Sequence, residues 1–215
     1  MLEAALPPGT VAYVDQDWLP ASPGEVPSLV AAGERTLAWC ESPPVAVPGT
    51  LDSDRAAILA LLSVAQAVVA AVEHVPRGAI EVAGHGLIAR QVRELLEAPS
   101  PKGGRSTRFE QPDAIVDTTG DPRIVVNATR RVAELGTVVL VGESLGRRAE
   151  MNLYPDVHVR GLTLVGIPPP LQRAEALFAQ TDPDDPLVAS SREALVHVAV
   201  GTPLRPGATW YRISG

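Results

Sequence analysis

The sequence predicts an α/β chain whose larger part is a parallel sheet with helices on both faces. Three observations carry that prediction. From Gly78 onward, short apolar runs alternate with helical patterns, the runs are rich in β-branched residues and continuous in polarity, and the first of them ends in a glycine-rich turn. Continuous apolar strands separated by helices belong to sheets that are buried on both sides. Strands are expected at 79–83, 114–117, 137–141 and 162–167, and helices at 87–96 and 123–134. The strand at 162–167 runs into Pro168, Pro169 and Pro170, which end it.

The amino-terminal part reads differently. Prolines at positions 7, 8, 20, 23, 27, 43, 44 and 48 break any long helix and confine strands to short pieces, expected at 10–14 and 36–39. Asp52 or Ser53 then caps a helix that ends near Glu73 and is apolar on most faces, hence buried. The expected organisation is a Pro-rich, β-containing segment over 1–50, followed over 51–215 by the parallel-sheet domain with a carboxyl-terminal tail. Trp210 and Tyr211 would anchor that tail.

Composition narrows the function classes. The chain has 215 residues, 46% of them hydrophobic, and a formal charge of −7. An acidic chain without a dense Lys/Arg cluster lacks the electrostatic footprint of a nucleic-acid surface. The near-uncharged stretch 58–72 is too short and too alanine-rich to be expected to span a membrane. Residues 1–8 lack the basic-then-apolar order of a secretion signal. Cys40 is the single cysteine, so no internal disulfide forms, and a reducing cytoplasm is the expected setting.

The turn Val82-Ala83-Gly84-His85-Gly86-Leu87-Ile88-Ala89 follows a strand and opens a helix, the context that a dinucleotide-binding fingerprint requires. Gly84 makes the tight turn, Gly86 and Leu87 bring backbone N–H groups toward a pyrophosphate, and Ala89 permits close helix–strand packing. The helix amino terminus then faces the anion. The same residues would also serve a strand-to-helix turn that is needed for packing alone.

The series Pro48-Gly49-Thr50-Leu51-Asp52-Ser53-Asp54-Arg55-Ala56-Ala57, then residues 84–89, Val116-Asp117-Thr118-Thr119-Gly120, and Gly136-Thr137-Val138-Val139-Leu140-Val141-Gly142 resembles medium-chain dehydrogenases/reductases. Residues 159–166 are similar to that family's last sheet strand. The resemblance covers about 48–167 and implies a Rossmann-like domain that binds NADP or NAD. It also implies that Thr118, Thr119 and Gly142 line the nicotinamide end of the cofactor. The strand at 162–167 would pair with its copy in a homodimer, which also protects an apolar edge.

The departures from the family are as informative. Only about fifty residues stand where the family carries a catalytic domain, and there is no His-Glu pair or cysteine ladder, so no zinc is expected. Only 99–112 separates the first helix from the strand at Ala114, which leaves no room for the usual strand, helix and strand, or for the acidic residue that grips the adenosine ribose. Within that stretch Arg105 and Arg108 would meet a 2′-phosphate or another anion, or belong to a polar surface hairpin.

The acid–base candidates are His85, between the two glycines, Glu143, after the third strand of the sheet, and Asp117, ending the second. All would converge on one crevice, because ligands of open α/β sheets bind at the carboxyl ends of strands. Asp117 reads equally as a loop-fixing residue, and His85 and Glu143 as solvated surface groups. Asp15 and Asp17 would bind a cation or blunt an edge strand. Cys40 reads as a small buried hydrophobe.

Two function classes follow for a small-molecule ligand. One is an NAD(P)-dependent oxidoreductase without zinc. The other is a cofactor-independent cyclase, isomerase or lyase, or a ligand-binding protein, that has lost redox function. A non-catalytic partner protein is the third reading.

Overall fold

The computed structural model describes residues 11–14, 29–32, 36–39, 45–46, 51–97, 111–141, 148, 150–167, 195–199 and 209–214. The chain divides into two compact units, Met1–Val64 with Pro169–Gly215, and Ala65–Pro168.

In the first unit, β1 (Val11–Val14), β2 (Leu29–Ala32), β3 (Thr36–Trp39) and β4 (Val45–Ala46) form an antiparallel meander. Two carboxyl-terminal strands complete the sheet. β10 (Thr209–Ser214) runs antiparallel to β1, and β9 (Leu195–Ala199) runs parallel to β10. The strand order is β4-β3-β2-β1-β10-β9. The sequence division at residue 50 differs from this one, because residues read as a tail, Trp210 and Tyr211 among them, pair with Tyr13 and Ala12 of β1. The reading of β1 as a charge-blunted edge is also corrected, since β1 lies between β2 and β10. Asp15, Asp17 and Cys40 lie outside the described residues.

The long helix α1 (Ser53–Ala71) contains the boundary between the units. Of the two candidate caps Asp52 is the one used: its Oδ1 accepts the Arg55 N–H at 2.8 Å and its carbonyl accepts the Ala56 N–H at 3.0 Å. Among the described residues α1 is the one helix long and apolar enough to cross a membrane, and 67% of its 18-residue apolar window is buried inside the protein.

The second unit holds the parallel sheet. β5 (Ile80–Ala83), β6 (Ala114–Asp117), β7 (Thr137–Leu140) and β8 (Thr163–Gly166) pair in chain order, every pair parallel. Helix α2 (Leu87–Glu97) links β5 to β6, and α3 (Pro122–Arg131) links β6 to β7. A five-residue π-helical turn, Tyr154–His158, precedes β8.

Ile115 and Val138 pack with Ala128 and Val132 of the α3 segment in one apolar cluster, and full burial of a side chain of this size contributes about 2 kcal/mol. On the opposite face Val116 and Val139 are also fully buried, so the centre of the sheet is covered on both sides. This is the Rossmann-like α/β arrangement expected from the sequence. The stretch in which a reduction is expected, 99–112, lies largely outside the described residues.

Helix α3 ends three residues before the expected boundary at 134. Val132 is extended, and the Ala133 N–H donates to the Pro112 carbonyl instead of continuing the helix; the Arg160 guanidinium, about thirty residues downstream, donates to the carbonyls of Thr129 and Val132, which the last turn leaves open. The chain then turns through Leu135, whose φ of 62° is left-handed, and Gly136 into β7. Arg160→Met strands those carbonyls. It is expected to cost about 2 kcal/mol in urea unfolding, and an unchanged midpoint would count against this capping role.

Arg77 does the same for α2, donating to Leu95 O at 3.3 Å and Leu96 O at 2.9 Å. Arg131 of α3 reaches Glu81 of β5 at 2.6 Å.

Candidate functional site at the carboxyl ends of the parallel strands

β5 leads directly into the glycine turn. Gly84 has φ 113°, a conformation that side-chain-bearing residues rarely adopt. Gly86 is buried, and its carbonyl accepts the Arg90 N–H at 3.0 Å, which starts α2 immediately after it. Leu87 and Ile88 are buried, and Ala89 is fully so. Of the small residues of the fingerprint, Gly84 thus has a backbone reason for its size. His85 is exposed at the tip of the turn.

The turn is also held from α2. Arg93 donates through Nη2 to the carbonyls of Val82, at 2.9 Å, and Gly84, at 2.5 Å. Sequence reading missed this residue. Its signal was positional: Arg93 follows Gly86 by seven residues and Ala89 by four, on the helical stripe that carries buried side chains.

The end of β6 is tied to the end of β5. Thr118 donates to the Ala83 carbonyl through its N–H at 3.1 Å and its Oγ1 at 2.9 Å. Asp117 is buried, and its Oδ1 accepts from the Thr119 N–H at 2.9 Å and the Thr119 Oγ1 at 2.7 Å. Thr119 Oγ1 in turn accepts the Asp121 N–H at 3.0 Å. Gly120, with φ 63°, completes the turn, and Asp121 caps α3 by accepting the Arg123 N–H at 2.9 Å. The hydrogen bond from Arg123 to the Asp121 carboxylate, together with its charge, raises the guanidinium above its ordinary pKa. The Asp117 carboxylate thus fixes its own loop.

The Val141 N–H donates to the Asp117 carbonyl at 2.9 Å, which brings the end of β7 alongside. Gly84, Gly86, Leu87, Thr118 and Thr119 therefore occupy adjacent strand ends. Gly142, Glu143, Arg105 and Arg108 lie outside the described residues. No group of three His, Cys, Asp or Glu able to hold a metal ion occurs among the described residues.

A parallel sheet whose four strands lie in chain order, with a glycine turn and a threonine loop at its carboxyl ends, is a Rossmann-like α/β arrangement. No family model and no curated sequence matches the chain. Among solved structures it is similar to a short chain alcohol dehydrogenase of E. coli CFT073 complexed with NADH. The TM-score is 0.54 at 10% identity, over 91% of this chain and 78% of that one. It is likewise similar to YhdH of E. coli K-12 with bound NADPH, with a TM-score of 0.52 at 16% identity over 91% and 86% of the two chains. TarJ of S. aureus gives a TM-score of 0.50 at 15% identity, over 83% and 68%. At such identities the likeness is one of fold.

Proposed function

We propose that the chain is an NAD(P)-dependent oxidoreductase acting on a small molecule. The observation that carries this reading is the glycine turn: Gly84 in its left-handed conformation and buried Gly86 at the start of α2 form a backbone cradle with no side chain at either position. Gly84, Gly86, Leu87 and Ala89 fit a pyrophosphate at the helix start. Thr118 and Thr119, held by Ala83 and Asp117, are the polar groups beside it. A bound nicotinamide supplies hydride transfer. His85, exposed on the turn, is the proton donor or acceptor, with Glu143 the second candidate, while Asp117 positions Thr119. Arg105 and Arg108 would meet a 2′-phosphate.

The same proposal includes zinc-independent chemistry, a cytoplasmic setting for a chain with one cysteine, and a homodimer through 162–167. The dimer reading is supported by β8, which is the edge of the described sheet and has Thr163, Leu164 and Gly166 exposed. Exposed Leu153, Tyr154 and Val159 precede it in the chain.

Calorimetric titration with NADPH and NADH tests the reading. Binding in the micromolar range, about −8 kcal/mol, is expected. Absence of binding at millimolar nucleotide would overturn it and favour the cofactor-independent cyclase, isomerase, lyase or ligand-binding reading. That second reading is supported by β5, whose outer edge carries no strand among the described residues where the adenosine side of a full fold would be built.

A further inference from the structure

Successive carbonyls of an extended strand point to opposite edges. In β5 and the residue before it, Ala79 and Ala83 face β6, since their carbonyls accept the N–H groups of Asp113 at 2.9 Å and Thr118 at 3.1 Å. The Val82 carbonyl therefore faces the other edge, where no described strand pairs with β5. A full doubly wound sheet would satisfy that edge with its next strand. Here the two N–H groups on Nη2 of half-buried Arg93 satisfy it instead, one donated to Val82 O and one to Gly84 O. The second bond reaches past the strand into the turn, onto the residue whose φ of 113° sets the direction of the chain into α2.

We infer that Arg93 is a positioning residue: its guanidinium stands in for a neighbouring strand on the outer edge of β5 and fixes the Gly84 peptide in the conformation the cradle needs. A planar guanidinium suits this better than a lysine, because its plane fixes the directions of the two Nη2 hydrogens, whereas those of an ammonium rotate. A shorter or apolar side chain would leave both carbonyls to water and the turn free to rotate about Gly84, the residue with the widest backbone freedom. The effect on affinity rests on the nucleotide-binding reading; the effect on the turn does not.

The test uses the full chain with Arg93→Met and Arg93→Lys, followed by amide hydrogen exchange and by NADPH titration. Arg93→Met is expected to speed exchange at 84–87 about tenfold while 137–140 in β7 stays unchanged. Arg93→Lys, which keeps a charged donor, is expected to recover part of that protection, and it carries the test if the Met variant does not fold. Unchanged exchange at 84–87, or an equal rise throughout the sheet, would overturn the inference. If the unsubstituted chain binds NADPH, Arg93→Met should weaken it about tenfold; equal affinity with a loosened turn would overturn the link from Arg93 to the cradle. If the unsubstituted chain does not bind, the nucleotide reading falls, and the exchange data still decide the role of Arg93.

Discussion

Gly136→Ala is expected to destabilise the parallel-sheet unit by about 3 kcal/mol. A methyl group there would sit 2.6 Å from Val132 Cγ2, 2.8 Å from the Ala133 carbonyl oxygen and 2.8 Å from the Asp113 carbonyl oxygen. Two of the three obstacles are backbone, so no rotamer change relieves them. The Asp113 oxygen also accepts the Thr137 N–H at 2.9 Å, a rung that ties β7 to the start of β6, so moving it aside breaks the ladder. Thermal melting followed by circular dichroism should show a midpoint lower by about 10 °C. Gly166→Ala is the control: a Cβ there meets nothing within 4 Å, and its midpoint should stay within the usual small range of surface changes. Equal midpoints for the two variants would show that the crowding at Gly136 is readily relaxed.

The second large effect is on affinity. Gly86→Trp places an indole at the start of α2, where on the proposed nucleotide-binding reading the backbone approaches the pyrophosphate closely. NADPH affinity is expected to fall at least about a hundredfold, equivalent to about 2.7 kcal/mol. Because Gly86 is buried, the change also tests packing, so circular dichroism accompanies the titration and Gly86→Ala provides the smaller step. A folded Gly86→Trp protein that binds as tightly as the unsubstituted chain would remove Gly86 from the cradle.

The elements most legible in the sequence were those defined by local pattern. Ala114–Asp117 and Thr36–Trp39 coincide with their expected bounds, since each is a short β-rich run with clear flanks. The glycine turn and the capping of α1 by Asp52 were legible for the same reason: the residues that decide them are neighbours in sequence. What escaped depends on partners far away. β9 and β10 acquire their role from β1, about two hundred residues earlier, and nothing within 209–214 announces that pairing. The end of α3 is held by Pro112, which takes the Ala133 N–H, and by Arg160, partners that no helix-stop rule applied to 123–134 would consult. Arg93 looked like any charged residue of a helix, and its role appears only once its bonds to Val82 and Gly84 are seen at the edge of β5 where no described strand pairs. Asp117 was legible in both its readings, and its bonds to Thr119 favour the loop-fixing one.

The two sheets differ in when they can be finished during synthesis. In the parallel sheet each strand pairs with the one before it, so β5, β6, β7 and β8 can assemble one after another as the chain leaves the ribosome. The other sheet cannot close in that way. One of the two neighbours of β1 is β10 at Thr209–Ser214, about two hundred residues later, so that edge waits through the translation of the stretch between them. At about 5–20 residues per second the wait lasts on the order of ten seconds or more. A chain stalled before residue 209 would hold β1 with one side open for pairing with other chains, and would expose an apolar strand edge to aggregation or to a chaperone.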